Sequence, residues 1–382
     1  MNKKPKAILW HVLRLAVMAA LVAYVVSQAE WNDTVRPDGT PVQGLKTIAA
    51  RLAEEWWWVA AALGVMTLQS PIGAVRWRLL LGVQGIHITF LESLRLTYIG
   101  WFFNNWMPGG MGGDLVKAWY IARRTHQKAE AVTVVFLDRL IGVVSLAVLG
   151  AAAVLATLGD ERVRAARIIL AVFLGLAAAG GWIFYSRRLR RLVRLDRWLA
   201  RLPARLAATR VGHVVARADQ ALFIYRHHKG TVALSVAYSW AAQAASVFAI
   251  YFLATGLGSE ARLHHFFINM PVVWIFWSLI PVPGGFGVAE GLAQRLFTAS
   301  VLGVRTAAEA ATLALTMILA FRVVQSAVSL PGAALYLSRR TNVSPRMMRE
   351  TMAAADPEGA GAPSFGDAER NVPPGTGGPG DA

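Results

Sequence analysis

Two runs of this chain break a helix where the surrounding sequence is apolar. The first reads Asn104-Asn105-Trp106-Met107-Pro108-Gly109-Gly110-Met111-Gly112-Gly113-Asp114; the second reads Ile280-Pro281-Val282-Pro283-Gly284-Gly285-Phe286-Gly287-Val288-Ala289-Glu290. Proline ends the incoming helix and frees the carbonyls of its last turn. Glycine lets the backbone take positive φ or approach a neighbour closely. Inside a bilayer, freed backbone groups survive only where protein buries them or a cavity takes them. Two such breaks at matching places in two halves are the pattern of a transporter site built on a repeat. After each break comes an arginine inside an apolar stretch, Arg139 and then Arg322.

The rest of the chain places these breaks in a membrane. Hydrophobic residues make up 55% of it and the mean hydropathy is +0.45, too apolar for an ordinary soluble domain. A spanning helix needs about 20 residues. Runs of that length predict full spans over 8–27, 56–80, 131–157, 165–186, 231–255 and 308–337. Two further stretches, 88–123 and 264–303, contain the breaks. The first run is expected to stay as a mature helix, because its apolar core is long and Ser27-Gln28-Ala29 is a poor signal-peptidase site. Cysteine is absent, which excludes disulfides, thiolate metal sites and cysteine nucleophiles. The fold class expected is an all-α integral membrane protein.

A net charge of +17 could suggest nucleic acid, but the positive residues sit in loops between spans, where they mark the cytoplasmic side. Lys3, Lys4 and Lys6 precede the first span. Arg76, Arg78 and Arg95 flank the end of the second, Arg123, Arg124 and Lys128 precede the third, and Arg339 and Arg340 follow the last. The 28–55 loop is acidic by comparison, with Glu30, Asp33, Asp38, Glu54 and Glu55 against Arg36, Lys46 and Arg51. This distribution predicts a cell-membrane protein with both termini cytoplasmic. The 88–123 hairpin then enters and leaves on the inner side and 264–303 on the outer side, an inverted repeat. Arg162, Arg164 and Arg167 run against this scheme, offset only by Asp160 and Glu161. Within 187–230, arginines alternate with Leu189, Leu192, Leu195, Trp198 and Leu202, a basic amphipathic pattern suited to anionic inner-leaflet headgroups. Residues 1–340 form the expected membrane domain; 341–382, rich in proline and glycine, are an expected disordered cytoplasmic tail.

The polar residues at depth define a candidate substrate site. Gly109, Gly110, Gly112 and Gly113, and Gly284, Gly285 and Gly287 in the second copy, can present backbone amides at the start of a half-helix. The helix dipole there attracts an anion. Pro108 and Pro283 set the breaks. Asp114 and Glu290 sit where a carboxylate can cap a helix, pair Arg139 or Arg322, or meet a cationic headgroup. A guanidinium in a span is costly, so each arginine is expected to face inward, either in an ion pair or on a lipid phosphate, which it matches with two parallel hydrogen bonds. Asp138 neighbours Arg139 in sequence, but adjacent helical residues point about 100° apart, so the two are not natural partners. Asn104, Asn105 and Asn269 are polar groups at similar depth that can bond freed backbone or a headgroup hydroxyl. His264 and His265 are expected at the outer interface, and no histidine pair has metal-ligand spacing within a span.

These residues resemble a known family. The string Arg95, Asn104, Asn105, Pro108-Gly109-Gly110, Gly112-Gly113-Asp114 and Asp138-Arg139 is similar to the lysylphosphatidylglycerol synthase transmembrane family, the flippase-like membrane domain of the multiple peptide resistance factor. Pro281-Val282-Pro283-Gly284-Gly285-Phe286-Gly287 with Glu290-Gly291 is similar to its second signature. The resemblance covers about residues 8–337 and implies movement of a polar lipid between leaflets. It does not carry over a substrate, since relatives are linked to aminoacylated phosphatidylglycerol, polyprenyl-phosphate sugars and hopanoids. No aminoacyl-transfer domain follows residue 340, so a transporter and not a synthase is expected.

The function expected is therefore flipping of a phospholipid or polyprenyl-phosphate-type lipid. A membrane glycosyltransferase using a polyprenyl-phosphate donor and a lipid-binding subunit that moves nothing are the alternatives. No GxxxxGK[ST] string occurs, so nucleotide-driven transport is not expected. The partners expected are the lipid substrate and anionic headgroups. A homo-oligomer is compatible with the sequence; nucleic acid, metal and cofactor are not expected.

Overall fold

The computed structural model describes residues 32–35, 41–42, 44–106, 112–125, 128–155, 159–185, 225, 228–279 and 286–338. The expected span 8–27, most of the basic 187–230 segment and the 341–382 tail lie outside the described residues, as do Pro108, Gly109, Gly110, Pro283, Gly284 and Gly285. What is described is helical apart from one two-residue ladder, β1 (Thr34–Val35) antiparallel to β2 (Pro41–Val42). Beside that ladder the Gly44 amide donates to Asp33 Oδ1 at 2.7 Å. This bond, with a lesser one from Thr47, holds the exposed Asp33 carboxyl below its usual range.

The helices are α1 (Leu45–Glu54), α2 (Trp56–Val83), α3 (Phe90–Trp106), α4 (Gly112–Thr125), α5 (Lys128–Leu155) and α6 (Arg164–Tyr185). They continue with α7 (Lys229–Gly256), α8 (Leu263–Leu279), α9 (Val288–Leu296), α10 (Ala299–Leu302), α11 (Ala307–Ser329) and α12 (Pro331–Leu337). A 3-10 turn, Glu161–Val163, precedes α6. Four stretches among the described residues are long and apolar enough to cross a membrane: Trp56–Val83, Leu137–Leu155, Lys229–Gly256 and Ala307–Leu337. They match four of the expected spans to within a few residues at most ends. A fifth expected span, 165–186, is helical as α6, and Ile168 to Tyr185 carries no charge.

The two broken stretches fold as pairs of shorter helices. The 17 residues of α3 and the 14 of α4 reach about 26 and 21 Å at 1.5 Å per residue, less than the roughly 30 Å of a hydrocarbon core. In the second stretch α8 has 17 residues and α9 has nine. Each pair packs within itself, α3 on α4 and α8 on α9. The second arm of each then packs on the long helix that follows it, α4 on α5 and α9 on α11. The first arm of each leans on the long helix of the other half, α8 on α5 and α3 on α11 and α12. The most extensive helix contact joins α2 to α7.

Small residues allow the closest of these approaches. A Cβ at Gly113 would fall on the carbonyl of Gly100, so α4 starts directly against the α3 backbone. At Gly332 a Cβ would strike the Tyr98 carbonyl, which sets α12 against α3. Burial concentrates in α7, α8 and α11, where Phe266, Met270, Val272, Met317 and Ile318 are at most 1% exposed. Leu176, Val172, Leu68 and Val323 are exposed, as side chains that meet lipid should be.

Candidate functional site

In the first half the broken helix is stitched by an asparagine of the facing arm. Asn104 Oδ1 accepts the Gly113 amide at 2.9 Å, satisfying one of the orphan donors at the start of α4. That leaves the neighbouring Asp114 carboxylate, 7% exposed, for cations. Arg139 Nε donates to its Oδ2 at 2.6 Å, Arg139 Nη2 closes on the same oxygen, and Lys117 Nζ lies 3.2 Å from Oδ1. Lys117 is one helical turn beyond Asp114 and also stands 5.1 Å from the centre of the Trp77 ring. Among the described side chains, one buried carboxylate thus holds two cations, one of them, Arg139, half exposed.

Asp138 points elsewhere, as the helical offset requires. Arg76 Nη2 on α2 donates to Asp138 Oδ2 at 2.9 Å, and Arg76 Nη1 donates to Ser239 Oγ on α7 at 2.8 Å. This pair ties the arginine-bearing helix α5 to the central α2–α7 pair.

The second half repeats the theme with a different cap. Gly287 has φ +81°, a conformation that favours glycine, and opens α9. Glu290 folds back so that Oε2 accepts the Gly287 amide at 2.8 Å, while Oε1 accepts Arg322 Nε at 2.7 Å. The Arg322 guanidinium stands 4.0 Å from the Phe286 ring centre and 4.6 Å from that of Trp277. Glu290 therefore serves as cap and as ion-pair partner at once, whereas in the first half Asn104 caps and Asp114 pairs. The other two asparagines of the candidate site also donate to backbone carbonyls, one of them at a helix end. Asn105 Nδ2 donates to Gln325 O at 3.3 Å, crossing to the second half, and Asn269 Nδ2 donates to Leu296 O at 3.2 Å.

The two arginines differ in reach. The Arg139 side chain is 42% exposed and that of Arg322 is 12%, with Phe286 and Trp277 against its guanidinium. Of the expected site residues, the structure brings together Asp114 with Arg139, Glu290 with Arg322 and Gly287, and Asn104 with Gly113; Gly112 is the first residue of α4. Sequence reasoning missed Lys117, Arg76, Trp277 and Phe286. Lys117 had a visible signal, a lysine three residues after an acid within an apolar stretch.

Residues 12–332 match the family described as lysylphosphatidylglycerol synthase TM region. The chain is also similar to a UPF0104 membrane protein of Pyrococcus horikoshii, 24% identical over 276 residues, which are 66% of this chain and 80% of that protein. The match takes in both broken helices and both acid–arginine pairs, and the chain belongs to the lysylphosphatidylglycerol synthase transmembrane-region family.

Proposed function

We propose that this protein moves a lipid with an anionic headgroup between membrane leaflets, binding that headgroup between its two broken helices. The observation that carries this reading is the Asp114–Lys117–Arg139 cluster, where two cations share one buried carboxylate beside the start of a half-helix. The two cations and the helix-start amides both favour a phosphate. The second half offers a charge-balanced counterpart in Glu290 and Arg322.

The matching contacts of the two halves support an inverted repeat. The first hairpin lies between the last residues of α2 and the first of α5; the second lies between the last of α7 and the first of α11. With the long helices alternating in direction, the hairpins are re-entrant and open on opposite sides, the first toward the cytoplasm and the second outward. Together with the expected spans 8–27 and 165–186, this makes six full crossings in a cell membrane, with both termini inside. Flipping then consists of exposing the shared site to one hairpin's side and then to the other's.

The test is reconstitution of the full chain in liposomes with labelled phosphatidylglycerol or a labelled polyprenyl phosphate in one leaflet. Wild type should equilibrate at least one of them between leaflets, and Arg139→Ala should lower the rate at least about tenfold, the loss of one strong charge-assisted pair. Binding of lipid without any transfer in wild type would instead make the protein a lipid-binding subunit. Equal rates for wild type, Arg139→Ala and Arg322→Ala would remove the phosphate site.

A further inference from the structure

At the end of the bundle away from the first hairpin, one acid and two consecutive histidines about a hundred residues later converge on one point. Asp160 precedes the 3-10 turn between α5 and α6, and His264 and His265 lie in the first turn of α8. The two carboxylate oxygens of Asp160 have separate tasks. Oδ1 accepts the Arg162 amide at 3.0 Å and fixes the turn, which leaves Oδ2 facing the histidines. His265 Nε2 is 2.9 Å from Oδ2 and His264 Nε2 is 3.6 Å from the same atom. The two imidazoles touch edge to face, with ring centres 4.3 Å apart.

A single hydrogen bond does not account for this geometry. One proton satisfies His265 and Oδ2, while His264 presents the same ring nitrogen to the same oxygen beyond hydrogen-bonding distance. The three atoms lie within 4.8 Å of one another. Ligands of a tetrahedral zinc ion, each about 2.0–2.1 Å from the metal, are about 3.3 Å apart, between the two distances observed. The donor set is two imidazoles and one carboxylate, which suits Zn2+ and leaves a fourth position for water. The basic residues nearby are in part offset, since Arg164 and Arg167 lie 3.5 and 3.7 Å from Glu161.

We propose that Asp160, His264 and His265 form a binding site for a divalent transition-metal ion, Zn2+ foremost, that fastens the turn between α5 and α6 to the first arm of the second hairpin. His265 is buried and His264 partly exposed, so the site has an inner wall and an open mouth. A bound ion fixes the outer end of α8 to the frame and leaves the first hairpin untouched.

The test is titration of the purified full-length chain in detergent with Zn2+ by calorimetry, and with Co2+ by visible absorption. The chain has eight histidines, so the other six set a background that variants must be compared with. Wild type should take up one Zn2+ that Asp160→Asn and His264→Gln each weaken at least about tenfold, and Co2+ should give the visible bands of a low-symmetry site that both variants lose. Both substitutions are at partly exposed side chains, and thermal melting without metal verifies that each variant is folded. Zn2+ uptake that is the same in the folded variants as in wild type, or absent in wild type, overturns the site.

Discussion

Arg139 and Arg322 each pair an acid near the start of a short helix, yet their surroundings differ. Arg139 is half open and shares its carboxylate with Lys117, so its removal leaves Asp114 still paired. Arg322 is the closest cation to Glu290, and its removal strands a buried carboxylate, a loss on the order of 3 kcal/mol. Arg322→Ala is therefore expected to lower the melting temperature in detergent markedly, while Arg139→Ala lowers transport with little change in melting. Arg139→Lys keeps the charge but not the paired geometry and should also slow transport. Lys117→Met removes one of the two cations and should weaken binding of an anionic lipid, measured by co-purified or titrated lipid, whereas Lys117→Arg should restore it. Glu290→Gln retains an acceptor for the Gly287 amide but loses the ion pair, so a drop in transport that exceeds the drop in stability would separate charge from cap. At the surface, Asp33 behaves as an acid-sensitive clasp. Its folded pKa is depressed by the Gly44 amide, so its contribution to stability is present above the unfolded value of about 4 and is lost as pH falls through the folded one. Asp33→Asn should flatten that part of a melting-temperature profile below about pH 4 and leave neutral pH nearly unchanged.

At the scale of the element, the first hairpin closes on a direct backbone contact. Gly113→Ala would drive a methyl group into the Gly100 carbonyl, and because the obstacle is backbone, α4 must move as a whole. The expected outcome is a clear loss of thermal stability. Gly64→Ala on α2 has nothing near its added carbon and should be neutral or gain up to about 1 kcal/mol from helix propensity. The breaks and their acids were legible in the sequence because proline and glycine act locally. The long helices were legible because length and apolarity are local as well. What could not be read is how each helix is rotated about its axis. That rotation decides that Asp138 meets Arg76 on α2, that Asn105 reaches Gln325, and that Asp160 finds two histidines about a hundred residues later. The separation of Asp138 from Arg139 was readable for the opposite reason, since it follows from helix geometry alone.

Among the described helices, those before and after residue 200 lean on one another. The α2–α7 pair runs between them, and each first arm rests on the long helix of the opposite half. Because the chain has no cysteine, single cysteines can report on that arrangement without background. If the hairpins open on opposite sides, Thr89→Cys beside α3 should be modified by a membrane-impermeant reagent from the cytoplasmic face, and Ser259→Cys beside α8 from the outer face. Modification of both from the same side would remove the inverted arrangement and the alternating route with it.

The crossed support of the hairpins also orders the protein's own synthesis. The first hairpin is complete once Thr125 has been made, but α3 rests on α11 and α12, which end at Leu337. At 5–20 residues per second the ribosome needs roughly 10–40 s to deliver that support. During that interval Tyr98, Asn105 and Trp106 must sit in the insertion machinery or in lipid without Gly332, Gln325 and Ser329, the neighbours they meet in the finished fold. A nascent chain stopped before residue 307 is therefore an expected client of membrane chaperones and quality-control proteases, and the last helices act as the closing piece that releases it.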